Sequence, residues 1–212
     1  FRGGDIHTYC AAKRMVAACE KQGAMLAFCH QRRFNSPFIK AKELLKAGAI
    51  GDLRRLEGMC SNLYDWGTHW FDMMFFYNDE TPAEWVIAQI DTRGTRHVFG
   101  APCEGQGLSH FKFKNGVRGL MVTGFEADLG AHNRLVGTDG VIEVGVPGGP
   151  DLRVMGKGRD GWETIPCPDG IHGLDGFRLA VLDFIDALKK GREPELSGRR
   201  ALQATEDRKS VV

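Results

Sequence analysis

From about residue 84 onward the sequence leaves helical spacing for alternation, in "EWVIAQIDTRG", "SHFKFKNGVRGLMVTGFE", "NRLVGTDGVIEVGV" and "LRVMGKGRDGWETIPC". A period of two sends successive side chains to opposite faces of a strand, so the pattern selects β structure. Between the apolar runs stand "KNG", "TDG" and "RDG". Asn-Gly and Asp-Gly supply the positive-φ residues that tight hairpins need. These segments predict an antiparallel meander of about five or six strands. The glycine clusters "GVPGGP" and "GKGRDG" fall between β-like segments and are turns on this reading, not strand-to-helix phosphate loops.

Helical spacing frames this block. Residues 8–22, "TYCAAKRMVAACEKQ", predict a helix ending at Gly23, and "AMLAFCH" a short buried strand after it, as in an α/β unit. "RRFNSPF" is a connector carrying Pro37, and "IKAKELLKAGAIG" an amphipathic helix ended by Gly48 or Gly51. After "PDGIHG", the segment "LDGFRLAVLDFIDALKKG" forms a helix with Phe177, Val181, Phe184, Ile185 and Leu188 on one apolar face and Gly191 as its stop. A last helix follows Ser197 as N-cap and precedes a polar tail at 207–212. The connector is the domain boundary: a helix-strand remnant at 1–34, then an α+β body at 35–206.

The 212 residues, 42% of them hydrophobic, suffice for a sizeable core. Lys+Arg and Asp+Glu nearly cancel, 28 against 27, and Arg32-Arg33, Arg54-Arg55 and Arg199-Arg200 are isolated pairs, so nucleic acid is not an expected partner. The six cysteines have no C-x-x-C spacing and suit reduced thiols in a cytoplasmic protein. No apolar run approaches the roughly 20 residues that span a bilayer, and no membrane association is expected. The chain starts at Phe1 without a methionine and is expected to be a piece of something longer.

Chemistry concentrates in "LYDWGTHWFDMMFFYND", residues 63–79. On a helix, Asp65, His69, Asp72 and Phe76 share one face, while Trp66, Trp70, Met73, Met74 and Tyr77 form a core stripe. An aspartate one turn before a histidine can orient the ring and favour its charged form, which suits proton transfer near neutral pH. The same spacing also describes an exposed pair contributing about 0.3–0.5 kcal/mol. A zinc or manganese site from Asp65, His69 and Asp72 with His110 or His172 is a third possibility, and with it a metal-dependent hydrolase. His30, Gln31, Arg32 and Arg33 follow the first strand, where α/β sheets present ligand-binding side chains, so one arginine could hold a substrate hydroxyl or carboxylate or form interdomain salt bridges. Arg33 and His172 are the substrate-binding candidates, and Trp85 and Trp162 are core or interface aromatics.

In order, "FCHQRRFNSPFIKAKELLKAGAIGDL", "LYDWGTHWFDMM", "GTDGVIEV" and "FRLAVLDFIDALKKGREPELSGRRALQATE" resemble the Gfo/Idh/MocA family of NAD(P)-dependent oxidoreductases, over about residues 8–206. The resemblance implies a Rossmann domain, then an open, mainly antiparallel sheet with helices on one face and often a partner subunit on the other. It further implies that the D-x-x-x-H pair lies beside the substrate carbon of a sugar or cyclitol. By position, His69 is the acid/base for the hydroxyl whose carbon gives a hydride to nicotinamide, and Asp65 its companion. The uncovered sheet face leads to an expected homodimer or homotetramer.

The sequence departs from that pattern in three places. No G-x-G-x-x-G turn leads from a strand into a helix, "GKGRDG" lying between β-like segments, and about residues 8–30 supply only the last helix and strand of a Rossmann domain. Where the family has E-K-P with its catalytic lysine, Gly3, Gly4 and Asp5 stand here. "EGMCSNLYDWGTH" runs from strand to helix without the glycine-rich stretch of many relatives. NAD or NADP belongs to the intact family, and neither is expected to bind this chain alone. The alternative is a truncated, non-catalytic sugar-binding or assembly module.

Overall fold

The computed structural model describes residues 9–93, 96–127 and 130–208. Helix α1 (Tyr9–Lys21) is followed by a one-turn 3-10 helix (Gln31–Phe34), α2 (Ser36–Lys46), β1 (Leu53–Cys60) and α3 (Trp66–Tyr77). Strands β2 (Ala83–Asp91), β3 (His97–Val98), β4 (Ala101–Pro102), β5 (Gln106–Phe113), β6 (Arg118–Thr123), β7 (His132–Gly137), β8 (Val141–Val144), β9 (Leu152–Met155) and β10 (Glu163–Thr164) come next. Helices α4 (Asp175–Lys190) and α5 (Gly198–Arg208) close the order. Helix α5 runs two residues into the expected tail.

Eight strands form one open sheet in the order β10-β9-β8-β7-β1-β6-β5-β2, and β3 pairs with β4 in a separate hairpin. The expected meander is interrupted by β1, which lies between β7 and β6, antiparallel to the first and parallel to the second. Sequence period places residues on faces and is blind to such an insertion across many residues. The alternation itself is real. Phe111, Phe113, Met121, Leu135, Ile142, Val144, Leu152 and Val154 point inward and are buried, meeting Trp70, Met73, Met74, Phe75 and Tyr77 of α3 and Phe38 and Ala41 of α2.

The hairpin turns differ in what they ask of glycine. Gly116, in "KNG", has φ +90, as expected of Asn-Gly. Gly140, in "TDG", lies outside the left-handed region; glycine is required because a Cβ there would stand 2.1 Å from the carbonyl oxygen of Met155.

One further expectation is corrected. "AMLAFCH" is not a buried strand: it makes a single antiparallel bridge, Ala27 to Ser197, and is half-exposed. Its bonds there are Phe28 N to Leu196 O, 3.0 Å, and Gly198 N to Leu26 O, 2.9 Å. A strand needs neighbours on its edges, and here the 196–198 segment is the neighbour present among the described residues. The apolar face of α4 is likewise uncovered, with Val181 58% and Leu188 54% exposed, alongside Phe177 and Ile185. Gly191 ends that helix in the left-handed conformation, as expected.

Candidate active site

Asn62 builds the start of α3. Its buried side chain accepts from Asp65 N at 2.7 Å and its carbonyl from Gly67 N at 2.8 Å, a side-chain turn that brings Asp65 to the N-cap position. Buried Glu104 anchors the same loop through one oxygen, which accepts from Leu63 N at 2.6 Å and Thr123 Oγ1 at 2.5 Å. Nothing in the sequence around Glu104 announced that role.

The polar face of α3 is turned inward, onto residues 30–34. Asp72, 1% exposed, receives Arg33 Nε and Nη2, each at 2.8 Å, and His30 Nδ1 at 3.1 Å. Arg33 also donates through Nη1 to Glu80 and Glu195, at 2.5 and 3.0 Å, and through Nη2 to Glu80 at 3.3 Å. Every guanidinium N–H therefore has a carboxylate. Burial would favour neutral Arg33, but Asp72 and Glu80 outweigh it and hold the charge firmly; burial likewise raises Asp72, and His30 and Arg33 bring it well below the carboxylate range. Arg33 is a buried structural cation with no donor left for a substrate.

His69 sits one turn before that cluster. Its ring centroid is 5.3 Å from that of His30, and its buried Nδ1 has no hydrogen-bond partner among the described residues. Asp65 makes no hydrogen bond to it there. Burial, then the neighbouring His30 and Arg32, pull the His69 pKa down to about 3 against the opposing pull of Asp72. The imidazole is thus neutral near pH 7, not the carboxylate-supported, readily charged ring that the D-x-x-x-H spacing alone predicts.

Arg32 is the arginine that faces the site. It is 5% exposed, with its guanidinium 4.3 Å from the Trp70 ring and 5.4 Å from the Trp66 ring, and it donates Nη1 to the Ile171 carbonyl at 3.0 Å. Its pKa is pushed down to about 10 by burial, with Cys60 and Asp65 acting the other way. His172 is exposed and meets Trp66 edge-on at 5.6 Å. Asp65, His69 and His172 thus gather around the Trp66–Arg32–Trp70 stack. Of the two arginines, Arg33, the expected substrate-binding one, has its donors taken by Asp72, Glu80 and Glu195, while Arg32 lies against Trp66 and Trp70. In a 3-10 turn successive side chains diverge by about 120°, so adjacent residues enter different environments.

His110 lies on the opposite face of the sheet, its ring 5.2 Å from Trp85, and cannot join His69. With Asp72 occupied by Arg33 and His30, its carboxylate is not free to ligate, and among the described residues no group of three or more His, Cys, Asp or Glu is arranged to hold a metal ion. Trp85 and Trp162 are outer-face residues that stack with Arg118 and Arg153, at 5.2 and 4.2 Å. Gly3, Gly4 and Asp5 lie outside the described residues.

No family model matches the sequence, and no curated protein matches it. Solved structures do. An oxidoreductase from Agrobacterium radiobacter, in complex with NAD+, L-tartaric acid and magnesium, superposes with TM-score 0.77 at 17% identity, over 96% of this chain and 66% of its own. An aldose-aldose oxidoreductase from Caulobacter crescentus, complexed with glycerol, gives 0.76 at 20% identity over 96% and 67%. The WlbA dehydrogenase from Bordetella pertussis, in complex with NADH and UDP-GlcNAcA, gives 0.73 at 21% identity over 97% and 65%. The fold is therefore that of oxidoreductases of this kind, as the sequence resemblance implied. The chain spans about two thirds of their length. No helix among the described residues is long and apolar enough to cross a membrane.

Proposed function

We propose that this chain is the substrate-binding part of an NAD(P)-dependent oxidoreductase of the Gfo/Idh/MocA kind, acting on a hydroxyl of a sugar or cyclitol. The observation that carries the reading is a neutral His69 beside Asp65, in a fold shared with an aldose-aldose oxidoreductase and a dehydrogenase that binds NADH and UDP-GlcNAcA. A neutral imidazole has one nitrogen free to accept the hydroxyl proton, and Asp65 orients the sugar through hydrogen bonds. Arg32 and His172, which both meet Trp66, border the same site. Arg33 and Asp72 hold its frame.

Nicotinamide, when bound, takes up the hydride. The one G-x-G-x-x-G spacing, Gly156–Gly161, lies between β9 and β10 and opens no helix, so none of the chain's residues is assigned to hold the cofactor. The bare apolar face of α4 borders a groove of about 440 Å³ that includes Met25, Phe28, Phe177, Val181, Phe184 and Leu196. We assign that groove to the nucleotide-binding portion of the oxidoreductase fold, and residues 1–34 to the edge of that portion. A reducing cytoplasm suits the six cysteines, which have no C-x-x-C spacing.

Calorimetry with NAD(H), NADP(H) and a panel of sugars and cyclitols tests this. The expected result is saturable binding of at least one polyol, lost in His69→Ala, and none of either nucleotide. Nucleotide binding by this chain alone would overturn the division of labour. The missing glycine turn also favours a second reading, a sugar-binding module without redox chemistry; it predicts polyol affinity that is indifferent to His69→Ala.

A further inference from the structure

Two adjacent arginines are buried here, and only one of them has a counter-ion. Arg33 uses its Nε/Nη2 edge to grip Asp72 in the two-bond geometry that matches a carboxylate. The equivalent edge of Arg32 is unused. Its Nε is buried without a hydrogen-bond partner, its one hydrogen bond among the described residues runs from Nη1 to Ile171, and no carboxylate there lies within salt-bridge distance. A buried guanidinium left in this state is costly, and proteins pair such charges.

We propose that Arg32 seats the carboxylate of an acidic substrate, a sugar acid or other hydroxy acid, through its unpaired Nε/Nη2 edge near His69. This rests on the assignment of the His69 site as the substrate site. The stack supports it. Trp66 and Trp70 engage the guanidinium through ring contacts, whereas its N–H donors lie in its own plane, so the aromatic pair fixes the group while leaving the edge for a planar, two-pronged acceptor. Asp65 is near enough to favour the charge on Arg32 but not paired with it. A bound carboxylate would have a second effect. Arg32 is one of the charges that depress His69, and neutralising it makes His69 a stronger base when an acidic substrate is in place.

The test measures binding of D-glucuronate against D-glucose, and D-gluconate against D-glucitol, by wild type, Arg32→Met and Arg32→Lys, with folding of each checked by thermal melting. The expected result is that one acid binds at least about tenfold tighter than its neutral counterpart, the range of one charge-assisted hydrogen bond. Arg32→Met then removes the preference, Arg32→Lys restores only part of it, and the His69 imidazole pKa, followed by NMR, rises with the acid and not with the neutral sugar. Should Arg32→Met fail to fold, Arg32→Lys decides. Equal affinity for acid and neutral forms, or an acid preference that survives in both variants, overturns the carboxylate seat while His69-dependent sugar binding still stands. Binding of neither class overturns both.

Discussion

Arg32 and Arg33 are neighbours of one chemistry, and burial has given them different work. Arg33 ties α3 to the 3-10 turn through buried Asp72, and to the partly exposed Glu80 and Glu195. Arg33→Met strands Asp72, 1% exposed, without its main partner, and is expected to cost about 3–5 kcal/mol. Urea denaturation checks this as a lower midpoint at unchanged slope. His69 supplies a pH signature. Its folded pKa, about 3, lies below the 6.5 of an ordinary histidine, so below about pH 6.5 the unfolded chain takes up a proton that the folded chain refuses until about pH 3. Stability should fall with pH across that window. Asp72, held below its ordinary value, adds its own loss only below about pH 3.8. His69→Asn should flatten the upper part of the profile, and an unchanged slope of urea midpoint against pH would refute the shift.

At the scale of elements, local rules were legible and long-range pairing was not. Alternation and Asn-Gly at 115–116 announced the β5–β6 hairpin, and Gly116→Ala should cost about 1–2 kcal/mol in melting experiments because φ there is +90. The place of β1 was hidden, since its partners β6 and β7 are set by packing across the sheet and not by residues beside it in sequence. The aromatic stripe of α3 was readable as core. Its polar face was not readable as buried, because that depends on Arg33 arriving from thirty-nine positions away. Helix α4 shows the converse: its apolar face was correctly located yet lies bare on this chain. Val181→Lys and Ile185→Lys should therefore change the melting stability by no more than about 0.5 kcal/mol each, the range of surface substitutions. They should weaken docking of a nucleotide-binding portion.

Across the whole molecule the outer sheet face is divided in two. Glu57, Arg134, Glu143 and Arg153 stand opposite one another on β1, β7, β8 and β9 in a row of alternating charge. The other half carries Ile87, 68% exposed, with Leu108 and Val122 paired directly across β5 and β6. A continuous apolar patch of this kind, edged by charge, is suited to a symmetric partner. We expect a homodimer or homotetramer through this face, and Leu108→Glu with Val122→Glu should shift the sedimentation profile to monomer. A wild-type monomer at micromolar concentration would contradict that. The central claim, that His69 stands in a sugar-binding site, is tested most directly by imidazole NMR during titration with polyols. The account predicts that the His69 resonances shift saturably with the bound fraction while those of His110, on the far face of the sheet, stay in place. Saturable binding that leaves His69 unmoved would contradict it.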